Sequence, residues 1–213
     1  MKIRRQYLIR CIMKKSVVIA VFFLGYFSSV FSDASYGWNG VALWSPQREN
    51  GVMEFRHYLR RIISTYGAHR SSPIYGHRHA GIDIKGRYSE KVYAIGKGRV
   101  LWVTGEFPNT AIYIQHQGVH EKPFWSVYIH VQGIAVDIGD EVSENTIIGR
   151  IFNEDELRRS GFNTRPHLHL EIRHDISDNG RATFECMSKM ELNHYCVNPL
   201  NALLKERNPN DEQ

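Results

Sequence analysis

The chain predicts an all-β domain, on three observations. Short runs rich in Val, Ile and Tyr recur between turn residues from Ile82 onward, no long helical period interrupts them, and no strand–helix–strand alternation is present. In order the runs are KVYAIGKG, RVLWVTGEFPN, TAIYIQHQG, WSVYIHVQG, EVSENTIIGRIF and LHLEIRHD. Two segments read two ways. Val52, Phe55, Leu59, Ile62, Ile63 and Tyr66 fit one helical face, whereas YLRRIIS also reads as a strand. NEDELRRSG, from Asn153 to Gly161, is charged and reads as a solvated loop or a single helical turn. At the C-terminus, VNPLNALLKER has a Pro start and an apolar face at Leu200, Leu203 and Leu204, which predicts a short closing helix. There is no internal repeat or low-complexity linker, so one domain is expected. With 213 residues, 42% of them hydrophobic and 23% charged, the chain is long enough for a sizeable core, and intrinsic disorder is excluded.

The N-terminal 32 residues stand apart. A basic head, an apolar run from Ser16 to Phe31 and small residues at Ser32 and Ala34 follow the plan of a secretory signal peptide. The competing reading, an uncleaved anchor, is weakened because the run falls short of the about 20 apolar residues a spanning helix needs. Met13, followed by Lys14 and Lys15, is the more ordinary start of such a leader. Cleavage removes Lys2, Arg4, Arg5, Arg10, Lys14 and Lys15 and no acidic residue, turning the formal net charge from +5 to −1. The basic pI therefore reports export, and a nucleic-acid partner loses its main support. Cleavage also removes Cys11 and leaves Cys186 and Cys196, for which an oxidising compartment makes a disulfide the default. That bridge would contribute roughly 2–3 kcal/mol. The alternative is a small metal site with His194 between the two thiols.

PHLHLEIR, from Pro166 to Arg173, carries the chemistry. Residues two apart on a strand share a face about 7 Å apart, so His167 and His169 look one way with Glu171 and Arg173, while Leu168, Leu170 and Ile172 face a core. HAGID places His79 four residues before Asp83; a straight strand would hold them about 13 Å apart, so co-ligation requires a bend near Gly81. In VYIHVQG, Val127 and Ile129 are expected on one face and Tyr128 and His130 on the other. Each element alone also fits a solvated strand face, a turn-capping Asp or a structural His. Together they match zinc chemistry, in which three His or carboxylate ligands leave a fourth position open to a water that becomes the nucleophile. His79, Asp83 and one of His167 and His169 would supply the ligands. The remaining imidazoles would exchange protons with water and a leaving amine.

HAGID, YIH and PHLHLEIR occur in the order found in the LytM or lysostaphin-type zinc endopeptidases, which cut peptidoglycan peptides, and STYGAHR resembles the segment before that family's first ligand. The resemblance runs from Ile62 to Leu204. It implies an antiparallel β-sheet sandwich with an open groove holding one Zn²⁺, a short C-terminal helix, and a strand for YLRRIIS. It further implies His79, Asp83 and His169 as ligands and His130 and His167 as the catalytic pair. Tyr128 is a candidate to line the groove or else to pack as a core aromatic, Glu171 to orient His169 or else to make an ordinary strand ion pair, and His77 to lie near the first ligand. HEKPF at His120 is not a zinc HExxH motif, because its fifth residue is Phe124. His116 matches a strand position that carries no catalytic role in the family, and the other histidines read as surface residues. The domain plan is then a signal peptide at 1–32, an N-terminal extension at 33–61, the metallopeptidase domain at 62–205 and a disordered tail at 206–213.

Two departures from the family stand out: the charged FNEDELRRSGFNTR replaces its small-residue loop, and an insertion from Asp175 to Tyr195 follows the HxH strand. The first is expected to border the groove, where it would change substrate choice or occlude the site. The resemblance implies an exported, periplasmic or secreted endopeptidase acting on peptidoglycan, without a lasting membrane anchor and with a regulatory protein as a further partner. The alternative is a non-catalytic regulator that activates another wall hydrolase, but such proteins typically lack ligands that this chain retains.

Overall fold

The seven residues of HLHLEIR form an interior strand of the larger sheet, and both of their faces find cover. Leu168, Leu170 and Ile172 enter the main apolar core, and His167, His169, Glu171 and Arg173 on the opposite face are buried as well. In this computed structural model the described residues are 59–71, 74–118 and 122–201. The expected leader, most of the expected extension, His57, His120, Leu203, Leu204 and the tail lie outside them.

The strands are β1 (Ile62–Ser64), β2 (Ile82–Lys85), β3 (Lys91–Tyr93), β4 (Gly98–Thr104), β5 (Ala111–Gln117), β6 (Pro123–Ile129), β7 (Val131–Gln132), β8 (Glu141–Val142), β9 (Ile147–Ile151), β10 (His167–Arg173) and β11 (Cys196–Val197). Eight of them form one sheet in the order β1-β2-β10-β6-β5-β4-β8, with β11 also paired to β10; β3, β9 and β7 form a second. Every pairing among them is antiparallel, as the family resemblance implies. The core draws on both sheets: Ile82, Ile84, Tyr128, Leu168 and Leu170 from the larger, Val92, Val131, Ile148 and Ile151 from the smaller.

Residues 59–61 are helical and Ile62–Ser64 are strand, so YLRRIIS divides between its two readings. Residues 199–201 are helical, at the start of the expected closing helix. Among the described residues, three further short helices break the β expectation: α1 (Glu154–Ser160), α2 (Ala182–Glu185) and α3 (Lys189–Tyr195). NEDELRRSG is thus a helix rather than a loop. Its cause is local: Asn153 and Glu156 make a reciprocal capping box, Glu154, Asp155 and Glu156 crowd the N-terminal turn, and Gly161 closes the helix at φ 68°. Arg150 adds a two-pronged ion pair to Glu156, at 2.6 and 2.8 Å. Ser188 and Glu191 make a second capping box at the start of α3. Among the described residues, no helix is long and apolar enough to cross a membrane.

The insertion after β10 folds α2, α3 and β11 around a minor core of Ala80, Ala182, Cys186, Leu192 and Cys196, flanked by Tyr66 and Tyr195. Here the disulfide expectation is corrected, since Cys186 and Cys196 are both free and buried. In that apolar setting the thiols pack as small hydrophobic groups, and burial pushes the pKa of each up. The alternative metal site with His194 is not formed either: among the described residues the one converging His/Cys/Asp/Glu group lies elsewhere.

Candidate metal centre

Sheet register brings the distant motifs together. In the β2–β10 pair His169 stands opposite Asp83, and in the β10–β6 pair it stands opposite Ile129, the residue before His130. His79 joins them from the segment entering β2, at a point where that chain runs hard against β10. A Cβ on Gly81 would lie 2.1 Å from the Leu170 carbonyl oxygen and 2.7 Å from its carbon. Only glycine permits that approach, which is the physical content of the G in HAGID.

His79 Nε2, Asp83 Oδ1 and His169 Nδ1 meet at one point: 2.9 Å separates the two nitrogens, and each is 3.0 Å from the carboxylate oxygen. All three residues are buried. Hydrogen bonds behind the rings turn lone pairs toward that point. The Thr65 carbonyl accepts from His79 Nδ1 at 2.9 Å, which leaves Nε2 unprotonated in the neutral ring. Glu171 Oε1 accepts from His169 Nε2 at 2.9 Å, which favours the tautomer with an open Nδ1. Arg70 holds the other oxygen of Asp83, so that carboxylate offers Oδ1 alone.

Three acceptor atoms converging in a buried space call for a cation, and two imidazoles with one carboxylate form a zinc donor set. Ligand atoms around a tetrahedral zinc stand roughly 3.3 Å apart for bonds of ~2.0–2.1 Å. The trio would therefore widen by only a few tenths of an ångström. Without an ion, proton binding reflects the same convergence. Burial disfavours the charged form of His169, but hydrogen bonds to Asp83 and Glu171 outweigh it and raise the pKa to about 9. For Asp83 burial acts upward, and the hydrogen bonds of His169 and His79 override it, holding the carboxyl well below its usual range. The pKa of His79 is lowered chiefly by burial.

His130 and His167 stand beside the trio, their ring centroids 4.9 Å apart. Each is fixed through Nδ1. His167 donates to the Arg165 carbonyl at 2.7 Å, and His130 donates to the Pro108 carbonyl. The Nε2 of each neutral ring is therefore an acceptor, and that of His167 lies 4.0 Å from Asp83 Oδ1. Burial lowers the pKa of both; for His130, with the charges of His167 and His169 adding to it, the value falls to about 3.

Strand alternation misplaces one pair. Tyr128 was expected beside His130 at the groove. It is instead fully buried in the core, its hydroxyl accepting from the Ile95 amide at 2.9 Å and from Ser126 Oγ at 3.1 Å. His130 reaches the site because β6 ends at Ile129 and its own backbone turns left-handed, at φ 68°. That conformation is uncommon outside glycine and breaks the two-residue period. His77 is buried, donates through Nδ1 to the Ile74 carbonyl at 2.6 Å, and is not part of the converging group. His116 is buried away from the site, between the Lys97 carbonyl and Ser126 Oγ at 2.7 Å each.

Sequence reading missed Arg70, which lies inside the quoted STYGAHR but has no fixed spacing to Asp83. It also missed Phe162, just past α1, whose ring is tilted against His130 at 5.1 Å. A charged loop gives no hint of that contact.

A curated relative from Buchnera aphidicola, named an uncharacterized metalloprotease, is 31% identical over 141 residues, covering 63% of this chain and 35% of its own length. The peptidoglycan DD-endopeptidase ShyC of Vibrio cholerae is 28% identical over 117 residues, covering 54% of this chain and 25% of its own. The chain thus spans about a third or less of the length of these relatives. The catalytic domain of the antimicrobial peptidase lysostaphin from Staphylococcus simulans is similar at 19% identity and a TM-score of 0.48, covering 70% of this chain and 96% of that one. The family description "Peptidase family M23" matches residues 77–183, about half of the chain, a span that holds His79, Asp83, His130, His167 and His169. On that match, the chain belongs to peptidase family M23.

Proposed function

We propose that this chain is an exported zinc-dependent endopeptidase that hydrolyses amide bonds in the stem or cross-link peptides of peptidoglycan. The observation that carries it is the convergence of His79 Nε2, Asp83 Oδ1 and His169 Nδ1 beside two further imidazoles that are held by carbonyls and open at Nε2. The substrate class rests on the name of the Vibrio cholerae relative, a peptidoglycan endopeptidase.

Zinc bound by His79, Asp83 and His169 would supply Lewis acidity and make water a nucleophile near neutral pH. The chain's own groups handle the rest. His130 and His167, neutral and unprotonated at Nε2, accept a proton there and return it to the leaving amine nitrogen. Their Nδ1–H bonds to carbonyls fix the tautomer, so no reorientation is needed between the two transfers. Arg70 holds Oδ2 of Asp83, so that this carboxylate offers Oδ1 alone.

The regulator reading predicts a defective ligand set, and this one is complete. Export places the enzyme with its substrate, and N-terminal sequencing of the secreted product tests the boundary near Ser32 or Ala34. The activity test is mass spectrometry of peptides released from defined muropeptides, with and without chelator. We expect His169→Ala to lose zinc and turnover together. His130→Ala should keep zinc and lose about 10²–10⁴-fold in turnover. Parent-like digestion by His130→Ala would refute the assignment, and bound metal with no released peptide from the parent would favour the regulator.

A further inference from the structure

We infer that the insertion after β10 completes the metal centre, with Thr183 and Asp178 as positioning residues that act on His169 through Glu171 and Arg173. This rests on the metal reading above and extends it to residues beyond the ligands and the catalytic pair.

Glu171 is wholly buried, and its two oxygens are shared out. Oε1 accepts from His169 Nε2 at 2.9 Å and from Thr183 Oγ1 at 2.6 Å; Oε2 accepts from Arg173 Nε at 2.7 Å. Arg173 is also wholly buried, and its Nη1 donates to Asp178 Oδ1 at 2.8 Å. Asp178 in turn accepts from the Gly180 amide at 3.1 Å and the Ala182 amide at 2.6 Å. The cluster thus closes on the backbone of the insertion. A lone buried guanidinium would be expensive, and here it lies between two carboxylates. One negative charge remains over the set, directed at the ring edge opposite Nδ1. A carboxylate in that position raises the basicity of a ligating imidazole and fixes its orientation.

Thr183 is the member whose role can be isolated. Its hydroxyl is the donor on the far side of Oε1, so it sets the carboxylate rotamer that presents Oε1 to His169. Its backbone is tightly placed: Asn179 and Gly180 both take positive φ, 53° and 84°, and a Cβ on Gly180 would sit 2.4 Å from the Tyr113 hydroxyl. The same insertion grips the chain beside the other imidazole ligand. The Arg78 amide donates to the Cys186 carbonyl at 2.6 Å, and Ala80 lies in the minor core with Cys186, Leu192 and Cys196. Both neighbours of His79 are therefore held by the element that holds His169 from behind. The family match ends at residue 183, so α3 and both cysteines lie beyond it.

The test is zinc affinity of the full chain, measured by competition with a chromophoric chelator, for the parent, Thr183→Val, Thr183→Ser and His169→Ala. Thermal melting in excess chelator controls for the fold. Valine keeps the volume and removes the hydroxyl; serine keeps the hydroxyl. We expect Thr183→Val to bind zinc about tenfold more weakly, the lower end of what loss of such an outer partner costs. Thr183→Ser should stay within about threefold of the parent, with all apo melting curves coincident. Parent-like zinc affinity in Thr183→Val overturns the proposal. So does equal weakening in both Thr183 variants accompanied by lower apo melting, which would mark packing alone. Parent-like affinity in His169→Ala would instead remove the metal reading on which this proposal rests.

Discussion

Replacing Gly81 by alanine tests whether close contact between β2 and β10 sets the ligand geometry. The new methyl would stand 2.1 Å from the Leu170 carbonyl oxygen and 2.7 Å from its carbon, both backbone atoms that cannot rotate away. Real Cβ–oxygen contacts stay above about 3.0 Å, so the strands must separate locally by roughly 1 Å or tilt to the same effect. His79 and Asp83 flank position 81 on one side of this contact, and His169 precedes Leu170 on the other. The separation therefore falls on the 2.9 and 3.0 Å spacings of the trio. A site of this kind tolerates displacements of about 0.5 Å. Overpacking of this sort costs about 1–3 kcal/mol, and backbone-on-backbone overlap places Gly81→Ala near the upper end. Urea unfolding in chelator reads the stability loss, and chelator competition reads zinc, which we expect to weaken at least tenfold. An unchanged urea midpoint together with zinc affinity within twofold of the parent would refute the reasoning.

Burial lowers the pKa of His116 to about 4, below the 6.5 of an exposed imidazole. Between these values the unfolded chain holds a proton that the native chain does not, so this residue's stabilisation is complete above pH 6.5 and is lost as pH falls toward 4. The loss amounts to about 3 kcal/mol in all. Urea titrations in chelator should therefore show the slope of stability against pH reduced by about 1.4 kcal/mol per unit in His116→Gln, and an unchanged slope would contradict it. Phe162 covers one side of His130, so Phe162→Ala should raise kcat/KM on cross-linked muropeptides several-fold with zinc affinity unchanged. A fall in kcat/KM would make Phe162 a substrate contact instead of a screen.

Much of the converging trio was legible because metal-ligand chemistry constrains both residue type and spacing. HxH on a strand places both rings on one face; the glycine in HAGID reads as a bend, whereas in the fold it permits the close approach to Leu170 of β10. The spacing alone leaves His167 and His169 open; the register sets His169 opposite Asp83, where its Nδ1 joins the converging trio. His130 was legible as a residue but not as a placement, since one left-handed dihedral moved it off the face that it would have shared with Tyr128. Helix α1 carried readable signals, Asn153 with Glu156 and a closing Gly161, but its run of charges outweighed them. The brace through Thr183 left no trace in the pattern. Contacts that cross an insertion depend on how two short helices return to the sheet, and no periodicity records that path.

Strand β10 is enclosed on every side: β2 and β11 along one edge, β6 along the other, and side chains packed over both faces. His169 is therefore anchored to a strand paired along both edges and packed over both faces, while His79 lies in the segment before β2 and Asp83 near the start of that strand. Strand pairing and packing alone thus aim the three donors, so a chain kept in chelator is expected to hold its fold and to take up zinc without refolding.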